Sequence, residues 1–397
     1  MKDPTAQIIE HIRVLSQEIG GRGSCTAGER LAGEYAAGQL QAMGVQDIRS
    51  EPLKAIPSTY WPYGLAFALA LTGTLVSLLF DGRGTQFLGM LFNTLGLWAM
   101  LAEIQFMRSW THWILPRSQS QNISGRIAPA GPVSARVVLC AHLDTHRTPV
   151  FYASKAWNLA FSISLPLVLL SMFLGALGFG MGLFFNWGWM RWLGLIIAPV
   201  QAFMLAMCLH ADFTSFSPGA NDNASGAAVI LALSRQLARR PLLHTEVTLL
   251  FTGCEEVGDW GMAAFLDTHS VRSGTNTTYI ILDQVGAGRI KFLTADGLLL
   301  KHKTHPRALQ LARQAAKQKL ELGAFEGVGL AYTDALRATL RGLCALTLCT
   351  IPSGSAGGSA HWHQMSDTLD HIVPDDLLKT YQFTWEILQL IDQSYGQ

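Results

Sequence analysis

The sequence predicts an α/β fold, a mostly parallel mixed sheet sandwiched by helices, with two inserted transmembrane helical hairpins that supply four transmembrane helices. Between residues 212 and 397, apolar strand-like runs alternate with helical stretches, a pattern typical of α/β sheets. Upstream, four long stretches carry almost no charge. Polar clusters lie at the ends of the apolar runs, where such sheets place their ligands.

The composition favours a membrane protein. Hydrophobic residues make up 49% of the 397 residues and charged residues only 14%, against a usual charged share of about 25%. The formal net charge of +1 gives no reason to expect a nucleic acid as a partner. The six cysteines form no CxxC pair and are expected to be free thiols. The first 20 residues lack the build of a secretory signal, so the start of the chain is expected in the cytoplasm.

Two pairs of charge-poor segments predict the hairpins. Trp61 to Phe80 and Phe87 to Phe106 form the first pair, and Ala156 to Met190 and Trp192 to Ala211 the second. Each segment is long enough to cross a hydrocarbon core of about 30 Å. Core helices of a soluble protein are the alternative, which the length and pairing disfavour. Because each hairpin returns to its starting side, the interrupted soluble domain can close as one unit.

The predicted divisions alternate accordingly between soluble and membrane segments. They are the N-terminal part of the soluble domain at 1–57, hairpin 1 at 58–110, the soluble domain continued at 111–155, hairpin 2 at 156–211, and the main catalytic part at 212–397.

The first polar cluster follows a predicted buried strand, Arg136 to Cys140. Residues two apart on an extended chain point the same way, so His142 and Asp144 share a face. A metal-bound imidazole usually donates its other N–H to a partner, for which a carboxylate is well suited. We therefore predict His142 as a metal ligand and Asp144 as its support. The alternative is the polar end of a surface strand.

Asp222 lies in the stretch Gly-Ala-Asn-Asp-Asn-Ala-Ser-Gly, directly before a predicted helix. Asp and Asn at such a position are often only helix N-caps. Here Asn223 or Ser225 can provide the cap. Asp222 is thereby left free for another role, such as bridging two cations.

Glu255 and Glu256 follow the apolar strand Val247 to Phe251. Adjacent buried acids are costly unless a cation neutralises them. Their side chains diverge, so one can bind a metal while the other acts as a general base. Asp283 ends another apolar strand, for which a turn residue is the alternative. With His363, in a loop before Asp367, the clusters can supply two imidazoles and four carboxylates, a ligand set for two zinc ions.

In their order and local motifs, these clusters resemble the M28 family of zinc aminopeptidases. The resemblance covers residues 5–55 and 120–394, and the four hydrophobic spans lie outside it. It implies two Zn²⁺ ions as cofactors. The implied roles are His142 and Asp283 as ligands of one zinc, Glu256 and His363 as ligands of the other, Asp222 as the bridge, Glu255 as the general base and Asp144 as the supporting acid. His363 is preferred to His361 for its spacing to Asp367. Ala335 departs from the family, which often has histidine there.

The resemblance implies a dinuclear zinc metallopeptidase, an aminopeptidase that hydrolyses N-terminal peptide or amide bonds, and the four predicted spans make it membrane-embedded. The expected partners are the lipid bilayer and peptide or aminoacyl amide substrates, amphipathic or delivered at the membrane because the second hairpin adjoins the site in sequence. The alternatives are a glutaminyl-cyclase-like acyltransferase with one zinc and a catalytically inactive membrane scaffold of the same fold. The complete ligand set favours hydrolysis.

The orientation of this multi-pass membrane protein is predicted from the basic residues that flank the spans. By the positive-inside rule, the side richer in lysine and arginine faces the cytoplasm. Lys54, Arg108, Arg117, Arg147 and Lys155 lie on the catalytic side, against Arg83 and Arg191 in the short turns. The catalytic domain is therefore predicted to be cytoplasmic.

Overall fold

A computed structural model describes residues 4–269, 276–352 and 361–394. The chain divides into a sheet unit (residues 1–57, 118–146 and 216–397) and a helical unit (residues 58–117 and 147–215). The helical unit also takes in residues 111–117, 147–155 and 212–215, which the sequence analysis assigned to the soluble domain. In the first of these stretches a short helix, Thr111–Ile114, follows the second apolar helix of the unit.

The sheet unit is built on a nine-stranded mixed sheet among the described residues. In chain order the strands are β1 Gln46–Ala55, β2 Ser118–Ile127, β3 Ala135–His142, β4 Thr245–Thr252, β5 Thr277–Leu282, β6 Arg289–Asp296, β7 His302–Lys303, β8 Phe325–Val328 and β9 Cys344–Ile351. Their spatial order is β1-β2-β4-β3-β5-β9-β6-β7, with β8 beside β6.

The centre of the sheet is parallel and its flanks are largely antiparallel. Strands β4, β3, β5 and β9 run parallel to one another, whereas β2 joins β4 and β6 joins β9 in antiparallel fashion. Four neighbouring strands therefore end at the same edge of the sheet, which confirms the predicted α/β sandwich.

Twelve helices accompany the strands in the described residues. They are α1 Pro4–Arg13, α2 Ala27–Ala42, α3 Tyr60–Leu79, α4 Arg83–Ile104, α5 Thr111–Ile114, α6 Lys155–Phe185, α7 Gly194–Asp212, α8 Gly226–Arg239, α9 Trp260–His269, α10 Pro306–Gln318, α11 Asp334–Thr339 and α12 Pro374–Gln393.

Strand β3 shows why the central strands read as continuous apolar runs. Val137 and Leu139 belong to the larger core cluster, with residues of α1, α2, α8 and α12. Val138 and Cys140 belong to a second cluster, with residues of α9 and α11. Because alternate side chains point to opposite faces and both faces are covered, neither set can be polar.

The sequence analysis did not predict β6, β8, α9 or α11. Strand β6 carries Arg289 and Lys291 among its apolar residues, and β8 and α11 have only four and six residues. Such elements give a weak periodic signal because they contain too few repeats of either period.

The helical unit contains four helices that are long and apolar enough to cross a membrane: Tyr60–Leu79, Arg83–Ile104, Lys155–Phe185 and Gly188–Asp212. Their mean hydropathy lies between 1.5 and 2.1. Many of their large apolar side chains point outward, for example Leu79, Phe184 and Ile196, which are 68%, 71% and 72% exposed.

A buried polar ring joins three of these helices. Gln201 Nε2 donates to Asn93 Oδ1 at 2.8 Å, Asn93 Nδ2 donates to Thr74 Oγ1 at 3.1 Å, and Thr74 Oγ1 donates to Gln201 Oε1 at 2.9 Å. All three side chains are fully buried. Interhelical hydrogen bonds of this kind stabilise helix association where the surroundings are apolar.

Candidate metal centre

The parallel centre of the sheet brings the predicted site residues to one edge. His142 ends β3, Glu255 and Glu256 follow β4, and Asp283 follows β5. His363 comes after β9, the next parallel strand. Since these strands end together, residues far apart in the sequence meet at their carboxyl ends.

Asp222 lies between the two imidazoles. Its Oδ1 is 3.3 Å from His142 Nε2 and its Oδ2 is 3.3 Å from His363 Nε2. It stands in the turn Ala220–Ser225, which precedes α8. Asn223, rather than Asp222, supplies the side-chain acceptor at the helix start, because its Oδ1 accepts from Gly226 N at 3.0 Å. Both carboxylate oxygens of Asp222 therefore face the site.

The remaining acids divide between the two imidazoles. Glu256 Oε2 lies 3.3 Å from His363 Nε2. On the other side, His142 Nε2 is 3.7 Å from Asp283 Oδ1 and 4.0 Å from Glu255 Oε2. All these side chains are at least nine-tenths buried. The site thus has two halves that share Asp222.

Asp144 holds the backbone of the glutamate pair. It is fully buried, and its carboxylate accepts from Glu255 N and Glu256 N, each at 3.1 Å, and from Ser24 Oγ at 2.6 Å. Its own backbone carbonyl lies 3.1 Å from His142 Nδ1, while its carboxylate is 3.7 Å from that nitrogen. Asp144 therefore positions both glutamates and the imidazole.

Two further buried residues that the sequence analysis did not assign to the site hold its loops. The Arg22 guanidinium is fully buried and donates to five carbonyl oxygens, including those of Leu143 and Gly219. Asp367 accepts from the backbone N–H groups of Asn221 and Asp222 at 2.8 and 3.0 Å. Arg22 gives no periodic or motif signal, since three of its five acceptors, the carbonyls of Leu143, Pro218 and Gly219, are distant in sequence.

A third imidazole, His146, also lies at the site. Its ring stacks on that of His363, with centroids 3.7 Å apart and planes 12° apart. Ligand atoms of His146, Glu256 and His363 lie within 4.8 Å of one another. The spacing His142, Asp144, His146 on an extended segment could have revealed it, because residues two and four apart point the same way.

His361 and Ala335 lie apart from this constellation. His361 Nδ1 is 2.9 Å from Ser366 Oγ, and its ring stacks on His371 at 3.7 Å. Ala335 is buried in the apolar cluster that contains Cys140 and Tyr279. The small side chain at position 335 therefore serves packing beneath the sheet.

The buried charges strongly shift one another's titration. Burial raises the pKa of Glu255 well above its usual range and that of Glu256 to about 7, each partly offset by an imidazole. Although burial opposes it, the carboxylates hold the pKa of His142 far above its usual value and that of His363 at about 9. The two histidines in turn keep the pKa of Asp222 well below its usual value.

The donor set fits zinc, which binds imidazole nitrogen and carboxylate oxygen. Glu256 Oε1 and Asp283 Oδ1 are buried, and neither has a hydrogen-bond partner in the described part of the chain. Buried polar atoms without partners are rare, and an unpaired buried carboxylate is costly. Cations between the two imidazoles would satisfy both oxygens.

An open pocket adjoins the site. It is lined by Asp283 and by residues of β6, β9 and the segment 329–333, with Trp362 at its side.

Comparison with known proteins agrees with this geometry. The family model of peptidase family M28 matches residues 198–388. The chain therefore contains a peptidase family M28 domain. Among its relatives are a probable lipoprotein aminopeptidase, LpqL, of Mycobacterium tuberculosis, 26% identical over 189 residues, and the aminopeptidase YwaD of Bacillus subtilis, 41% identical over 58 residues. These alignments cover 41% and 15% of this chain, and 37% and 12% of the relatives.

Solved structures show the same fold over nearly the whole chain. A zinc aminopeptidase from Bacillus subtilis has a TM-score of 0.58 at 14% identity, covering 97% of this chain and 94% of its own. A Bacteroides thetaiotaomicron glutaminyl cyclase also has a TM-score of 0.58, at 16% identity, covering 97% of both chains. The predicted fold is thereby confirmed, and the family model confirms the predicted M28 domain. The family match begins at residue 198, so His142 and Asp144 lie outside it.

Proposed function

We propose that this M28 enzyme is a dinuclear zinc aminopeptidase anchored in a membrane. The observation that carries the proposal is the position of Asp222, whose two oxygens each lie 3.3 Å from a different imidazole. A carboxylate divided in this way can bridge two cations. His142 and Asp283 would complete one position, and His363 and Glu256 the other.

Zinc ions bound there would supply Lewis acidity to the scissile carbonyl and lower the pKa of a water molecule. Glu255 would accept a proton from that water; this role is supported by its carboxylate, which lies 4.0 Å from His142 Nε2. Its raised pKa suits a base that must later release the proton to a leaving amine. Asp144 fixes the backbone of Glu255 and so keeps the carboxylate aimed at the site.

The aminopeptidase assignment is supported by the names of the relatives and by the open pocket beside Asp283. Because this open pocket is lined by Asp283, a proposed metal ligand, it would hold the side chain of a substrate's first residue while the scissile bond lies at the metals. Peptides or aminoacyl amides are accordingly the proposed substrates.

The membrane part of the proposal rests on the helical unit. Four helices of sufficient length and hydropathy, with large outward-facing apolar side chains, fit a lipid surface. Basic residues concentrate where the chain enters and leaves the hairpins, which favours a cytoplasmic catalytic unit. Protease accessibility in sealed vesicles of known orientation tests this placement.

The decisive experiment combines metal analysis with the Glu255→Gln variant, both in detergent. We expect two zinc ions per chain, hydrolysis of aminoacyl amides, loss of activity with a chelator and recovery on adding zinc. Glu255→Gln should retain both zinc ions yet lose activity by about 10²–10⁴-fold, the usual contribution of a general base. Unchanged turnover in this variant would refute the assigned role.

The same experiment separates the two competing functions. One tightly bound zinc and conversion of N-terminal glutamine to pyroglutamate would identify a glutaminyl cyclase, a function represented among proteins of this fold. No metal and no turnover of any amide would identify an inactive scaffold.

A further inference from the structure

A buried lysine lines the pocket beside the metal centre. Lys291 lies on β6, is 7% exposed, and shares the pocket lining with Asp283 and Cys349, its partner across the β6–β9 ladder. Its Nζ donates to the backbone carbonyl of Val328 at 2.7 Å. An ammonium has three N–H donors, so this single bond leaves donors for a further acceptor.

Lys291 forms no ion pair within 4.0 Å in the described residues. Both carboxylate oxygens of Asp296 accept hydrogen bonds from other groups, from Thr333 Oγ1 at 2.6 Å, from Thr333 N at 3.2 Å and from Gly297 N at 2.8 Å. Asp283 is a proposed metal ligand. Segment 353–360, which follows β9, contains only serine, glycine and alanine.

The absence of a side chain at Gly327 leaves room for the long side chain of Lys291. The stem of Lys291 lies over Gly327 on the neighbouring β8, where an added Cβ would come within 2.7 Å of the lysine Cε. A buried cation without a carboxylate partner is unfavourable. The missing negative charge is therefore expected to arrive with the ligand that fills the pocket.

We propose that Lys291 selects substrates whose first residue is aspartate or glutamate, by pairing with the side-chain carboxylate. This inference rests on the proposed aminopeptidase function and names its substrate class. The pocket joins Asp283 to Lys291, so a first residue with its amide bond at the metals can extend its side chain toward the ammonium. The neutral side-chain amide of glutamine or asparagine has the same shape but would bind the ammonium more weakly, because charge-assisted hydrogen bonds are stronger than neutral ones.

The kinetic test compares Glu-, Gln- and Leu-aminomethylcoumarin substrates on the full-length enzyme in detergent. The wild type should have a higher kcat/KM for the Glu substrate than for the Gln substrate. Lys291→Met keeps the length of the stem and removes the charge. It should lower kcat/KM for Glu about 10–100-fold, the equivalent of one hydrogen bond to a charged group, and change that for Gln and Leu far less.

Two further variants control this result. Lys291→Arg retains the charge and should restore part of the preference for Glu. Lys303→Met removes an exposed lysine on β7 and should leave all three substrates unchanged. If the wild type prefers Leu, or if Lys291→Met leaves the Glu to Gln ratio unaltered, the inference is overturned while the proposed function stands.

A binding measurement keeps the inference testable without turnover. Isothermal titration with L-glutamate and L-glutamine, the corresponding products, should show tighter binding of glutamate to the wild type and loss of that difference in Lys291→Met. If no amide is hydrolysed but this difference is found, the aminopeptidase proposal fails and the carboxylate site is supported. Equal binding of the two amino acids would overturn the carboxylate site.

Discussion

Replacing Asp144 by asparagine tests whether the metal centre depends on its supporting carboxylate. Asp144 is fully buried and accepts three hydrogen bonds, two of them from the backbone of Glu255 and Glu256. Asparagine has nearly the same shape but one acceptor oxygen. Whichever way its amide is turned, an NH₂ group faces at least one donor that the carboxylate now satisfies.

The expected loss follows from those contacts. If the asparagine oxygen takes the place of Oδ2, Ser24 and Glu256 keep their acceptor and Glu255 N faces the NH₂ group. A buried donor left without a partner costs about 1–3 kcal/mol. Because the affected backbone carries the proposed base and a proposed ligand, zinc affinity should fall about 10–100-fold, as for other partners of metal ligands.

Competition with a chromogenic chelator measures this affinity in detergent, and thermal unfolding of the zinc-free protein measures the structural cost separately. Ser24→Ala is the matched control, since it removes one donor and leaves the carboxylate and both amide bonds in place. Its effect on zinc affinity should be clearly smaller. Wild-type zinc affinity in Asp144→Asn would refute the argument that this carboxylate organises the site.

Two further predictions concern packing and pH. Gly226→Ala should destabilise the fold by about 1–3 kcal/mol and reduce bound zinc, because its Cβ would lie 2.3 Å from the Leu282 carbonyl oxygen. The control is Gly38→Ala on α2, where an added Cβ would meet nothing within 4 Å. In thermal unfolding this control should be neutral or stabilising by less than about 1 kcal/mol. Burial lowers the pKa of His11 to about 4. Above pH 6.5 this residue should therefore contribute about 3 kcal/mol to the free energy of unfolding. The contribution should be lost as the pH falls from about 6.5 to 4, because the unfolded chain binds the proton first. In unfolding measured across that range, the stability of the wild type relative to His11→Asn should decline toward acid pH; a constant difference would contradict the assignment.

The parts of the fold that could be predicted are those with long, uniform patterns. The central strands are apolar on both faces, so the sequence predicts β3 and β4 from continuous apolar runs. The four apolar helices are predicted from the length of their charge-poor segments. The acids and His142 stood out because each ends such a run. His146 was missed although its spacing to His142 offered a signal, and its stacking on His363 joins residues distant in sequence. Arg22 could not be predicted because three of the carbonyl oxygens it contacts, those of Leu143, Pro218 and Gly219, are distant in sequence.

The points at which the helices are inserted explain how an M28 fold can accept them. Ala55 and Ser118 are directly paired in the β1–β2 ladder, so residues 58–117 occupy the place of a hairpin turn. Likewise Ser217 N donates to the His146 carbonyl at 2.9 Å, which joins the chain ends on either side of residues 147–215. Since each insertion begins and ends at hydrogen-bonded neighbours, its length does not alter the register of the strands. The second insertion, residues 147–215, lies between Asp144 and Asp222 in the sequence, yet His142 Nε2 and Asp222 Oδ1 are 3.3 Å apart in the described structure.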